Sequence, residues 1–366
     1  MRRTLPWIIA ITTLSGNTLC AQNTAGNWQE TLEVGASLPF IPFALLRTEL
    51  QDASKEIVWH RDSLARFKST FITVDKNVKL EVIDWGGSGR PLVLLAGLGN
   101  DAHVFDRFAP RLTATYHVYG ITRRGFGASS APPPANGNYS ADRLGDDVLA
   151  VIDSLKLNRP VLVGHSIAGE ELSSIGSRYP DKVAGLIYLD AGYSYAYYDR
   201  SRGDLILDSL ELRKKLEQLI PGVGPQDQEQ LVQELLQTSL PQFEKDLQEQ
   251  QKALQAMPAQ PQQAGGLSIA GQAVLAGQQK YTDIRVPILA LFVVPHDLGP
   301  FFKDDPAARA AMEAIDATRA GSQAKAFEIG LPSAHVVRLP NADHYVFRSN
   351  EADVLREMNA FLGGLP

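Results

Sequence analysis

Ser166 stands in the stretch "VLVGHSIAGEEL" (Val161 to Leu172), with Gly164 two residues before it and Ala168 two residues after. An apolar run leads in and a helical pattern leads out, so the serine falls on a strand-to-helix turn. A serine nucleophile on such a turn needs small residues at those two positions, because strand and helix approach closely and the serine backbone is strained. The same turn sets the N–H of Ile167 at a helix N-terminus, where it can donate to an oxyanion. Taken alone the pattern also fits a plain tight turn. The distinction rests on whether a base, an acid and a second N–H donor accompany it.

Each has a candidate. His344, in "LPNADHYVF", lies after the last strand-like run and before the last helical one, where an imidazole can fall back over the serine. Asp297, in "LFVVPHDLGP", follows the strand that resumes after a long helical interruption and is the first choice for the acid that orients the imidazole. Asp190, in "IYLDAG", ends the preceding strand and competes for that role, since both aspartates keep the order Ser, Asp, His. The second N–H is assigned to Leu98, between Gly97 and Gly99 in "PLVLLAGLGN", two strands before the serine strand. Around this set, His165 is read as packing beside the turn. Glu170, one helical turn after Ser166, is expected to form a structural ion pair with Arg123 or Arg124. His103, Tyr193 and Tyr195 are candidates for substrate contact. His296 next to Asp297 lacks a sensibly spaced third ligand, so no metal site is expected.

The elements that must position these residues are legible from periodicity. "FITVD" and "VKLEVIDWGG" read as a hairpin. "PLVLLAG", "HVYGIT", "PVLVGHS", "AGLIYLD", "PILALFVV" and "AHVVRL" are short apolar runs of the kind buried on both faces. Helical stretches alternate with them, including "SADRLGDDVLAVIDSL", with Ser140 as N-cap and an apolar stripe at Leu144, Val148, Val151, Ile152 and Leu155. Strands alternating with helices imply an α/β domain with a largely parallel sheet. A Leu-, Gln- and Glu-rich stretch at 193–283 interrupts it as a helical insertion.

The chain resembles the α/β-hydrolase superfamily, in the branch with a serine nucleophile and a helical cap. The likeness rests on the "GHSIA" turn, on "DWGGSGRPLVLLAGLG" and on "ITRRGFGASSAP", and it runs from Phe71 to the C-terminus. It implies an eight-stranded, mostly parallel sheet flanked by helices, with the cap inserted after the sixth strand. The core is then 67–192 and 284–366. Two features depart from the family pattern: Ala96-Gly97 replaces the usual histidine-glycine pair at the oxyanion turn, and "DDPAARAAMEAIDATRAGSQAKAFEIG" lengthens the stretch between Asp297 and His344. The related dehalogenases and epoxide hydrolases carry an aspartate where Ser166 stands.

Composition bounds the rest. The chain has 366 residues, 44% hydrophobic and 21% charged, enough for one large core and a subsidiary domain. Residues 1–21, with Arg2-Arg3, the run "LPWIIAITTL" and a small-residue exit, read as a signal peptide cleaved near Ala21, giving an exported, periplasmic or extracellular protein. Residues 22–66 are expected to be an N-terminal extension packed across the core, in preference to a pro-segment or a partner-docking arm. Cys20 is the sole cysteine and leaves with the leader. A formal net charge of −6 argues against nucleic acid as a partner, and no later run is long enough to span a bilayer. The expected activity is hydrolysis of a small-molecule carboxylic ester through an acyl-enzyme, with no cofactor. Amide, lactone, thioester or carbon–carbon bond hydrolysis on the same residues, or ligand binding without turnover, are the alternatives. Oligomeric state is left open.

Overall fold

The computed structural model describes residues 67–222, 228–256, 266–300, 302 and 305–366. The signal peptide and the extension at 22–66 lie outside the described residues. The hairpin is β1 (Lys68–Asp75) and β2 (Val78–Gly86), followed by β3 (Pro91–Leu95), β4 (His117–Ile121), β5 (Val161–His165), β6 (Gly185–Leu189), β7 (Ile288–Val293) and β8 (Ala334–Leu339). They form one eight-stranded sheet in the order β1-β2-β4-β3-β5-β6-β7-β8, antiparallel at β1, β2 and β4 and parallel from β4 to β8.

Alternation within the apolar strands explains why helices cover both faces. Val93, Leu162, Leu186 and Ile288 point to one side, where they meet helices α1 (Ala141–Ser154), α2 (Gly169–Arg178) and α7 (Pro306–Gly330). Leu92, Leu94, Val161, Val163, Ile187 and Leu289 point to the other, against Phe105, Phe108 and the C-terminal helix α9 (Glu351–Gly363). β8 differs from the expectation of burial on both faces: Leu339 is its one buried residue, because β8 is the edge of the sheet and has a neighbour on one side only.

Between β6 and β7 the chain forms α3 (Leu205–Glu217), α4 (Glu229–Glu234), α5 (Leu240–Ala256) and α6 (Ile269–Ala276). A four-residue helix, α8 (Val346–Ser349), follows His344. Ser140 caps α1, its hydroxyl accepting from the N–H of Arg143. Among the described residues no helix is long and apolar enough to cross a membrane.

The strand order places the site. The chain leaves β3 for β4 on one side and returns to β5 on the other, so the C-terminal ends of β3 and β5 are adjacent, with Leu95 beside Gly164. Open parallel sheets bind ligands in the crevice at such a reversal. The turn after β4 is held to α1 by Arg124, fully buried, which donates twice to Asp147 at 2.6 Å. Removing one member of a buried pair leaves the other charge uncompensated, so Asp147→Ala is expected to lower the unfolding free energy by about 3–5 kcal/mol. Urea denaturation measures it, and a loss below about 1 kcal/mol would contradict the assignment.

Candidate active site

Ser166 sits at the exit of β5 with φ 52°, a left-handed conformation that a serine adopts only where its surroundings enforce it. The enforcing contacts are short. A Cβ on Gly164 would lie 2.9 Å from Leu172 Cδ1, and one on Gly169 would lie 2.0 Å from the carbonyl oxygen of Ala191. Helix α2 therefore starts against the loop after β6, and the serine is pushed up out of the strand. The closest approach falls at Gly169, one residue beyond the small position identified from the pattern.

The structure brings Asp190, not Asp297, to His344. Asp190 ends β6 in a left-handed conformation, φ 47°, and its Oδ2 accepts from His344 Nδ1 at 2.6 Å. Asp297 is half-exposed, pairs with Arg309 at 3.1 Å and accepts from the N–H of Gly299 at 2.9 Å. The physical reason for this correction is alternation. His296 and Asp297 are neighbours in an extended segment, bridged to Ala342, and so point to opposite sides. His296 takes the inward position.

Asp190 is fully buried with four donors on its carboxylate. The Tyr193 hydroxyl and the N–H of Val293 donate to Oδ1 at 3.0 and 3.1 Å, while His296 Nε2 and His344 Nδ1 donate to Oδ2 at 2.7 and 2.6 Å. Burial alone would raise its pKa, but the two imidazoles outweigh it and hold the carboxyl well below the ordinary carboxylate range. Ligand atoms of Asp190, His296 and His344 lie within 4.8 Å of one another, a spacing shared with metal-ligand sets. The contacts at 2.6 and 2.7 Å are direct N–H···O bonds that use the lone pairs a metal would need.

His165 ties His344 to the serine turn. Its Nε2 donates to the His344 carbonyl oxygen at 3.1 Å, and the two rings lie 4.6 Å apart. Burial, then the neighbouring His344, push its pKa well below the ordinary value, so it is neutral. With Nδ1–H of His344 given to Asp190, the acceptor nitrogen of that ring is Nε2.

Leu98 lies in the turn after β3, where Gly99 has φ 81°, and Ile167 directly follows Ser166. Their side chains share a cluster with Phe126, Tyr139, Leu144 and Val274 of α6. Arg123 holds the Leu98 turn from below, donating to the carbonyl oxygen of Ala96 at 2.9 Å and, through Nε and Nη2, to Glu171 at 2.7 and 2.8 Å. Glu171 belongs to the helix that starts at the serine, so one ion pair fixes both turns relative to each other. Neither this pair nor the inward turn of His296 was legible from local pattern. Of the candidate substrate contacts, Tyr193 supports Asp190 instead, and His103 is bonded to Asp106 at 3.0 Å. Tyr195 packs against the cluster of Leu98 and Ile167.

The profile of the alpha/beta hydrolase family matches residues 92–357. A fluoroacetate dehalogenase from Burkholderia sp is 34% identical over 116 residues, covering 31% of this chain and 38% of the dehalogenase. An epoxide hydrolase A from Mycobacterium tuberculosis is 34% identical over 119 residues, covering 32% of this chain and 37% of the relative. The chain thus spans well under half the length of these curated relatives. A crystal structure of a bromoperoxidase from Bacillus anthracis superimposes with a TM-score of 0.51 at 18% identity, over 81% of this chain and 100% of that one, which is a likeness of fold.

Glu170 corrects a further expectation. Arg123 goes to Glu171 and Arg124 to Asp147, leaving the Glu170 carboxyl fully buried, with no hydrogen-bond partner among the described residues. Burial first, then Glu171, raise its pKa well above the ordinary value against the pull of Arg123, which favours the protonated form in the folded chain. The unfolded chain releases that proton at an ordinary carboxyl pKa while the folded chain keeps it, so this group makes stability fall as pH rises above the unfolded value. Glu170→Gln is expected to leave stability nearly unchanged at pH 4 and to exceed the wild type at pH 8, by at most about 1.4 kcal/mol for each pH unit crossed. Urea denaturation at the two pH values reads this, and equal differences at both would contradict it.

Proposed function

The chain belongs to the alpha/beta hydrolase family, and from that premise we propose that it is a serine hydrolase cleaving a small carboxylic ester through a Ser166–His344–Asp190 triad. One observation carries the reading: a serine in a left-handed turn at the β5 exit, joined through His165 to a histidine whose Nδ1–H is bonded to a buried carboxylate.

Ser166 Oγ attacks the acyl carbon as His344 Nε2 takes its proton, and the N–H groups of Leu98 and Ile167 receive the oxyanion. Asp190 keeps the Nδ1–H tautomer and stabilises the imidazolium. The tetrahedral species collapses to an acyl-serine while His344 passes the proton to the departing alkoxide. Water, deprotonated by His344, then releases the acid and restores Ser166.

An ester is favoured because the described residues of the site include no further electrophilic group to help expel a poor leaving group. A serine in place of an aspartate disfavours the chemistry for which the dehalogenase and the epoxide hydrolase are named. A binding protein without turnover has no need of a serine, a histidine and a buried carboxylate together. Export directed by residues 1–21 is part of this proposal.

A fluorophosphonate probe is expected to label the protein and to fail on Ser166→Ala; an unlabelled, folded wild type would sink the reading. Asp190→Asn is expected to lower kcat on a p-nitrophenyl ester by about 10⁴-fold, and Asp297→Asn by less than about twofold. The reverse outcome returns the acid role to Asp297. A p-nitrophenyl series of increasing acyl length then measures the depth of the pocket.

A further inference from the structure

His296 lies between two buried carboxylates. Its Nε2 donates to Asp190 Oδ2 at 2.7 Å, and its Nδ1 and backbone N–H both donate to Asp316 Oδ2 at 2.8 Å. An ionised carboxylate only accepts, so a ring that faces one at each nitrogen carries both protons and a positive charge. The ring is almost wholly buried, and its centroid is 6.0 Å from that of His344. Asp316 comes from α7, the helix that lengthens the stretch between Asp297 and His344.

We propose that His296 is a positioning residue for the reaction above: clamped by Asp316, it fixes the Asp190 carboxylate and, as a cation beside His344, keeps that imidazole unprotonated to lower pH than Asp190 alone would. The inference rests on the hydrolase reading for its catalytic meaning. Two consequences follow from the geometry. Oδ2 of Asp190 is held from both sides, so it cannot rotate away from His344. The positive charge offsets part of the carboxylate's pull on a proton at His344, which at 6.0 Å in a partly polar interior is a substantial field.

Of the other described groups around the pair, none changes with His296: Tyr193 and His165 are neutral, and the cations Arg319 and Arg348, the latter over the Tyr345 ring, stay in place. Tyr193 is held neutral by burial and by Asp190, and His165 is neutral beside His344. Arg319, on the same helix as Asp316, adds a fixed positive charge near Tyr193 and Asp316. Burial by itself would lower the His296 pKa, but Asp190 and Asp316 outweigh it and raise it to about 10, so the cation persists through the working range of His344.

The test is a pH profile of kcat/KM on a p-nitrophenyl ester, paired with a ¹⁵N-histidine NMR titration of His344, which needs no turnover. His296→Gln keeps an N–H for Asp190 and removes the charge. The acidic limb and the His344 titration are both expected to move up by roughly one to two pH units. Asp316→Asn keeps the His296 cation through its bond to Asp190 and removes the negative charge on its far side, so it is expected to move both the other way, downward and by less, and it carries the test if His296→Gln does not fold. A folded variant with His344 titrating as in the wild type overturns the proposal, whatever its stability. If the wild type resists the fluorophosphonate while His296→Gln still moves the His344 titration, the hydrolase reading and with it the catalytic meaning are overturned, and the electrostatic pairing stands.

Discussion

A carboxylate with no exposure to water is the constraint around which this molecule is arranged. Moving an ion of that size out of water costs several kcal/mol after relaxation, so Asp190 is tolerable only where donors replace its hydration. Four do, and they come from the loop after β6, from β7, from the segment beyond β7 and from the loop after β8. Every parallel strand from β6 to the sheet edge therefore contributes to holding one side chain. The position of His344 beside the serine turn is a consequence of the same requirement.

Two further buried ion pairs perform the equivalent task on the other side of the serine. Arg123 and Glu171 join the turn after β3 to the helix after β5, and Arg124 and Asp147 join the turn after β4 to α1. Both pairs are bidentate, which fixes orientation as well as distance. They surround the point where the strand order reverses, so the crevice at that reversal is walled by rigid contacts. The apolar cluster of Leu98 and Ile167 with Val274 extends this to α6, linking the two proposed oxyanion donors to the segment inserted between β6 and β7.

Function in this family is decided by the residues grafted on the sheet. The relatives named here as a dehalogenase and an epoxide hydrolase share part of their sequence with this chain. In this chain the set at the strand ends is a serine in a left-handed turn, a histidine bonded through Nδ1 to a buried aspartate, and that aspartate's bond to a second imidazole. This second imidazole, and the long helix α7 that brings Asp316 to it, account for the segment that separates Asp297 from His344.

The parts legible in the sequence were those governed by contacts a few residues apart. The small residues around Ser166, the cap at Ser140 and the alternating apolar runs each answer to a local steric or hydrogen-bonding demand, and together they determine the strands, their helices and the serine turn. The acid could not be read in that way. Asp190 and Asp297 both follow a strand and both precede His344 in the chain, and the choice between them depends on which side chain of an extended pair faces inward. Likewise, Glu170 and Glu171 differ by 100° around one helix, and only the packing of α2 on the sheet decides which of them meets Arg123. Local pattern determined which residues are present at the strand ends; tertiary packing decided which way each one points, because strand facing and helix phase are set by the burial of the whole sheet and not by the residue itself.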